Sequence, residues 1–245
     1  MIDSHCHLDD ARFDDDLEQV LDHAKSRGVD QFIVAGVHHR RWHKQQEIQQ
    51  QHEGVLNAFG VHPWFCHEHQ AEHLNMLESL LPEAVAIGEC GLDFCTSRPD
   101  QNIQIQWFRV HLEWAKKTGL PLIIHSVRAH ETMLMMLRDY PSLHGVIHGF
   151  VGSLEQAQSF LKLGFLIGLG MRILNPHAKK IQKLVSQLPL DAIVLESDAP
   201  DGLPKGERNE PANICQVSQY IANLRNQDER IIVAACNKNT EELFL

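Results

Sequence analysis

No CxxC pair occurs among the six cysteines Cys6, Cys66, Cys90, Cys95, Cys215 and Cys236. Nor does the polar start Met1–His7 read as an export signal. A disulfide framework is therefore not expected, and the cysteines read as reduced, mostly buried thiols of a cytoplasmic protein. No apolar run approaches the roughly 18 residues that a membrane helix needs. Positive charge is scarce as well: 22 Lys and Arg face 32 Asp and Glu, a net charge of −10. That balance argues against a broad non-specific nucleic-acid surface. It leaves room for a local site whose positive charge comes from metal. No glycine-rich phosphate loop follows the first apolar run, where His5-Cys6-His7-Leu8-Asp9 stands instead. Linkers, repeats and composition breaks are missing too, and the Gln45–Gln51 run reads as a solvated helix face.

What the chain has in plenty is histidine, 17 of 245 residues. Hydrophobic residues make up 43% and charged residues 22%, enough for a large core without a metal or disulfide staple. Apolar β-rich runs alternate with amphipathic stretches. The expected strands are Met1–His7, Gln31–Val37, Val55–Val61, Val85–Glu89, Leu122–His125, Gly145–His148, Phe165–Gly168 and Ile193–Glu196. Helical spacing runs through Asp15–Arg27, Gln101–Thr118, Glu131–Tyr140 and Leu154–Leu163. Ser153 with Gln156 resembles a capping box, and Gly28, Gly119 and Gly164 stand where helices should stop. Eight βα units predict an α/β fold, a single-domain (β/α)8 TIM barrel over residues 1–245. A doubly wound open sheet is the runner-up, disfavoured by the missing phosphate loop.

Side chains alternate along a strand, so His5 and His7 point one way and Cys6 the other. Glu89, His125, His148 and Asp198 each close or follow an apolar strand. In a barrel those ends face one another around one site. Four histidines and two acids exceed one tetrahedral ion and suit a two-metal centre with a bridging acid. Zinc, manganese, iron or nickel fit such donors better than calcium. A divalent ion lowers the pKa of bound water from 15.7 towards ~7, which makes hydroxide accessible at neutral pH. Asp198 could take the proton.

These residues lie in motifs that run through the chain: DSHCHLD (Asp3–Asp9), GVHPW (Gly60–Trp64), IGECGLDF (Ile87–Phe94), IIHS (Ile123–Ser126), GVIHGFVGSLEQA (Gly145–Ala157), LESDAP (Leu195–Pro200) and the closing Asn239, Thr240, Leu243 and Phe244. In that order the sequence resembles the TatD family of metal-dependent deoxyribonucleases, within the amidohydrolase superfamily, and most of all its YjjV-like branch. The resemblance implies a TIM barrel with two divalent ions, zinc, manganese, magnesium or nickel. It implies that His5, His7 and Asp198 hold the first ion, that His125 and His148 hold the second, and that Glu89 bridges. Glu89 and Asp198 are then the catalytic pair. A metal-held hydroxide would cleave phosphodiester bonds in DNA, single-stranded or at 3′ ends. One position departs: the family often has Arg after the His-Ser of IIHS, where this chain has Val127 and then Arg128.

Candidate substrate contacts are His62, Asp93, Arg128 and His130. His62 could bind phosphate or protonate the leaving oxygen. Asp93 could orient a ligand histidine. Trp64 reads as a packing residue or a base platform. Arg208 and Asn209 could meet substrate near the mouth. His38, His39, His43, His67, His69 and His73 read as solvated surface. Two rival readings stand beside a deoxyribonuclease. In one, the same centre hydrolyses a small ester, amide, lactone or phosphomonoester. In the other, the chain is a non-catalytic metal- or partner-binding protein.

Overall fold

In the computed structural model, which describes residues 1–245, eight parallel strands stand in sheet order β1 to β8. They are β1 (Ile2–Cys6), β2 (Gln31–Ala35), β3 (Val55–Phe59), β4 (Ala86–Asp93), β5 (Leu122–Val127), β6 (Gly145–Ile147), β7 (Phe165–Leu169) and β8 (Ile193–Leu195). Between and after them lie α1 (Leu17–Ser26), α2 (His39–Gln51), α3 (Ala71–Leu80), α4 (Gln101–Thr118), α5 (His130–Arg138), α6 (Leu154–Lys162), α7 (Lys179–Gln187), α8 (Ile214–Arg225) and α9 (Glu229–Phe244). The barrel closes where the β1 segment meets the β8 segment. There Ser4 Oγ donates to Leu195 O at 2.8 Å, and the N–H groups of Asp198 and His7 donate to His5 O and Ala199 O. This is the (β/α)8 barrel that the alternation predicts.

Strand ends shift by a few residues. β4 runs on to Asp93, so Glu89 lies inside the strand and Asp93 closes it. The β4–β5 register slips between Ile87 and Cys90. Helix α4 has the predicted bounds, and its ends have physical causes. The Asp100 side chain accepts the N–H groups of Asn102 and Ile103, and Gly119 ends the helix at φ 76°. The Ser153–Gln156 capping box forms in both directions. The glutamine-rich run is only partly solvated. Gln45 is buried, and its amide donates to Val34 O and Ala58 O.

Alternation sorts the strands into two faces. Ile33, Ala35, Ala58, Ala86, Ile123, Val146 and Val194 fill one cluster inside the barrel. Cys6, Phe32 and Val34 pack instead with α1 residues such as Val20 and Leu21. Cys6 thus faces the helices, as its parity requires. His125, His148 and Glu196 each stand two residues beyond an interior apolar residue (Ile123, Val146 and Val194). They therefore share the interior face at the C-terminal ends of their strands.

Candidate metal centre

Six predicted residues meet around one carboxylate. Oε1 of Glu89 lies 2.7 Å from His148 Nε2 and 2.9 Å from His125 Nδ1. Oε2 of Glu89 lies 3.3 Å from His5 Nε2 and 3.5 Å from His7 Nε2. Asp198 Oδ1 stands 3.7 Å from His5 and 3.6 Å from His7. One oxygen of Glu89 therefore faces the His125–His148 pair, and the other faces His5, His7 and, through them, Asp198. Asp198 holds a left-handed backbone, φ 58°, fixed by its N–H to His5 O. Its side chain is 21% exposed and reaches a cavity of about 420 Å³.

Burial and the concentration of charge pull the groups in opposite directions. Burial alone would raise the Glu89 carboxyl, but the surrounding His148, His62 and His5 hold it well below its usual range. Burial lowers His5, and the neighbouring His148 lowers it further. Burial also disfavours a charged His7, but the Asp198 and Glu89 carboxylates outweigh it and take His7 up to about 9. Asp198 is drawn down to about 2, because its bond to His7 overcomes burial.

The donors suit divalent cations. The ring nitrogens of His5 and His7 approach to 3.2 Å, and those of His125 and His148 to 3.1 Å. The opposite ring nitrogens, Nδ1 of His5, Nε2 of His125 and Nδ1 of His148, are buried on the far side of each ring from Glu89 and leave the facing nitrogens as the candidate donors. Paired imidazoles turned toward a shared carboxylate offer the mixed nitrogen and oxygen set of zinc-like ions.

The remaining predicted contacts divide. His62 lines the cavity, with Nε2 3.2 Å from Glu89 Oε1 and Nδ1 accepting the Trp64 N–H. That pattern puts the proton on Nε2, aimed at Glu89. Burial lowers His62 to about 4, which disfavours its charged form. Asp93 stands behind His125, with Oδ2 3.6 Å from Nε2. It also accepts Trp64 Nε1–H at 2.6 Å and Arg98 Nε–H at 3.1 Å. Trp64 is 37% exposed, but the Arg98 guanidinium covers one ring face at 3.5 Å. Arg128 is exposed and does not line the cavity. His130 is buried instead, tied to Ser126 Oγ and Val151 O and stacked on Phe150. Arg208 pairs with Asp16 and Glu210, and buried Asn209 donates to Ser197 O. Neither reaches the cavity wall. His43 and His67 are exposed as expected, but His38 and His69 are buried and pack with His39 and His73.

Four other residues escaped the sequence reading. Glu196 is buried behind His148, and Arg12, Arg41 and Arg172 line the cavity. Glu196 was legible: it has the parity of Asp198, two residues on. Arg12 and Arg172 lie in short 3-10 turns and Arg41 in the first turn of α2, where no periodicity selects them.

Residues 2–245 match the family described as TatD related DNase. YjjV of Escherichia coli, described as an uncharacterised metal-dependent hydrolase, is 35% identical over 99% of this chain and 97% of its own. The crystal structure of YjjV superposes with a TM-score of 0.95 at 34% identity, covering 100% of this chain and 97% of that one. The 3′-5′ ssDNA/RNA exonuclease TatD of Erwinia billingiae is 31% identical over 100% of this chain and 98% of its own. The chain belongs to the TatD-related DNase family.

Proposed function

We propose that this chain is a divalent-metal-dependent hydrolase of phosphodiester bonds in single-stranded nucleic acid. The observation that carries the reading is the division of donors across the two oxygens of Glu89. His5, His7 and Asp198 would hold one ion, His125 and His148 the other, with Glu89 between them. Ions held there supply Lewis acidity toward phosphoryl oxygen and lower the pKa of water. Asp198, with an oxygen at the cavity, accepts the proton of the attacking water. His62 donates to Glu89 and keeps that carboxylate turned toward both histidine pairs. Asp93 orients His125 from behind. Arg172 lines the cavity with no carboxylate tied to it and meets phosphate. Membership in the family and the exonuclease among its relatives support this substrate class.

A small ester, amide, lactone or phosphomonoester is the second reading. It draws on the ion pairs at the mouth, where Arg12 joins Asp10 to Asp201 and Arg41 also pairs with Asp10. The test is hydrolysis of single-stranded DNA by protein stripped of metal and reloaded separately with zinc, manganese, magnesium or nickel. Cleavage should follow the metal. It should fall about 10²–10⁴-fold in kcat when Asp198→Asn removes the proton acceptor. Metal binding with turnover of small esters only would overturn the nucleic-acid reading and uphold the second.

A further inference from the structure

The cavity at the metal centre continues beyond its own walls. Arg172 and Gly202 line it and also line a neighbouring groove of about 860 Å³. Val151 and Ile181 line that groove and a further one of about 460 Å³ beside α7. Shared walls thus link the three into one track leading away from Glu89. Its surface is largely apolar, with Met171, Leu174 and Leu203 in the middle groove. Beyond the metal-centre cavity the charges of the track are Arg172 in the middle groove, then Lys180, Lys183 and Glu155 in the outer one. Three cations against one acid reverse locally the sign of a chain with a net charge of −10. Arg172, Lys180 and Lys183 are all exposed. Arg12 and Arg41, by contrast, are tied to Asp10 and Asp201.

We propose that this track holds the part of a single-stranded polynucleotide beyond the scissile phosphate, with Arg172, Lys180 and Lys183 facing its backbone. The proposal rests on the phosphodiesterase reading and adds a direction to it. No aromatic residue lines the middle or outer groove. Bases there meet aliphatic side chains rather than stacking platforms, so binding should come from the backbone charge and depend little on sequence. A locally positive track also reconciles strand binding with an acidic chain.

The test uses the full-length, metal-reloaded protein and phosphorothioate-linked oligothymidylates and oligouridylates of increasing length. Wild type is compared with Arg172→Ala, with Lys180→Ala/Lys183→Ala, and with Lys25→Ala/Lys238→Ala, which removes the same charge from α1 and α9. The plot of log affinity against log salt should become shallower by about 0.7 for each cation removed from the track. The loss should grow with strand length. Salt slopes equal to those of the α1/α9 control, in a protein that still cleaves oligonucleotides, would overturn the track and spare the phosphodiesterase reading. Binding weakened as expected, but without cleavage of ordinary oligonucleotides, would uphold the track and overturn that reading. A protein that neither binds nor cleaves them would overturn both.

Discussion

Glu196 Oε1 lies 3.8 Å from His148 Nδ1 and accepts the Gly149 N–H at 2.5 Å. The carboxylate favours a proton on Nδ1, which leaves the Nε2 lone pair directed at the Glu89 side. A carboxylate behind a ligand histidine fixes its tautomer and raises its basicity. Glu196→Gln keeps the shape and an acceptor for Gly149 but removes the charge. Affinity for a divalent ion should fall about 10–100-fold. The unfolding temperature of metal-free protein should move little. Calorimetric titration with Zn²⁺ measures the first, and an unchanged affinity would sink this role for Glu196.

Glu196 fits only because its neighbours carry no side chain. A Cβ on Gly168 would collide with Glu196 Oε2 and stand 3.0 Å from the His148 Cα. The second contact is with backbone, which cannot swing aside. Gly168→Ala should therefore cost about 1–3 kcal/mol, as overpacking does. It should also weaken metal binding, because the displaced carboxylate drags on His148. Urea unfolding of the metal-free variant reads the first effect. Wild-type stability together with wild-type Zn²⁺ affinity would show that the cradle has slack.

The same parity that exposes Glu196 explains what the sequence made legible. His5, His7, His125 and His148 could be read because a strand repeats every two residues and a barrel gathers strand ends. Glu89 is legible only as a strand end: Ala86 faces the interior and Ile87 the helices, so alternation alone would turn Glu89 outward, and the register slip between Ile87 and Cys90 brings it in. Residues on loops obey no such period. Arg128 and His130 follow His125 closely in sequence, yet the chain turns at Arg128, φ 53°, and carries one to solvent and the other into the packing around Phe150. Arg172 approaches the centre from the turn after β7, far along the chain. His38 and His69 looked solvated because they sit in polar stretches. The fold buries them where the β2–α2 and β3–α3 connections meet.

Acid should weaken the wall of the site through His111. This buried residue of α4 donates Nδ1–H to Trp107 O at 2.7 Å and accepts the Val61 N–H on Nε2 at 3.0 Å. Only the second bond needs the neutral ring, because a protonated Nε2 cannot accept, and it fixes the residue before His62. Burial lowers His111 from 6.5 to about 4, against a smaller opposing pull from the Trp107 carbonyl. Between those values the unfolded chain binds the proton and the folded chain does not. Stability therefore rises with pH across this window. The contribution is complete above pH 6.5 and is lost as pH falls toward 4, about 3 kcal/mol in all. His111→Gln keeps an acceptor near the Val61 N–H but cannot titrate. Denaturant unfolding from pH 7.5 to 4 should show the wild type losing this increment relative to the variant. Parallel pH curves would mean that His111 is protonated in the folded state, or that the Val61 bond does not depend on its charge.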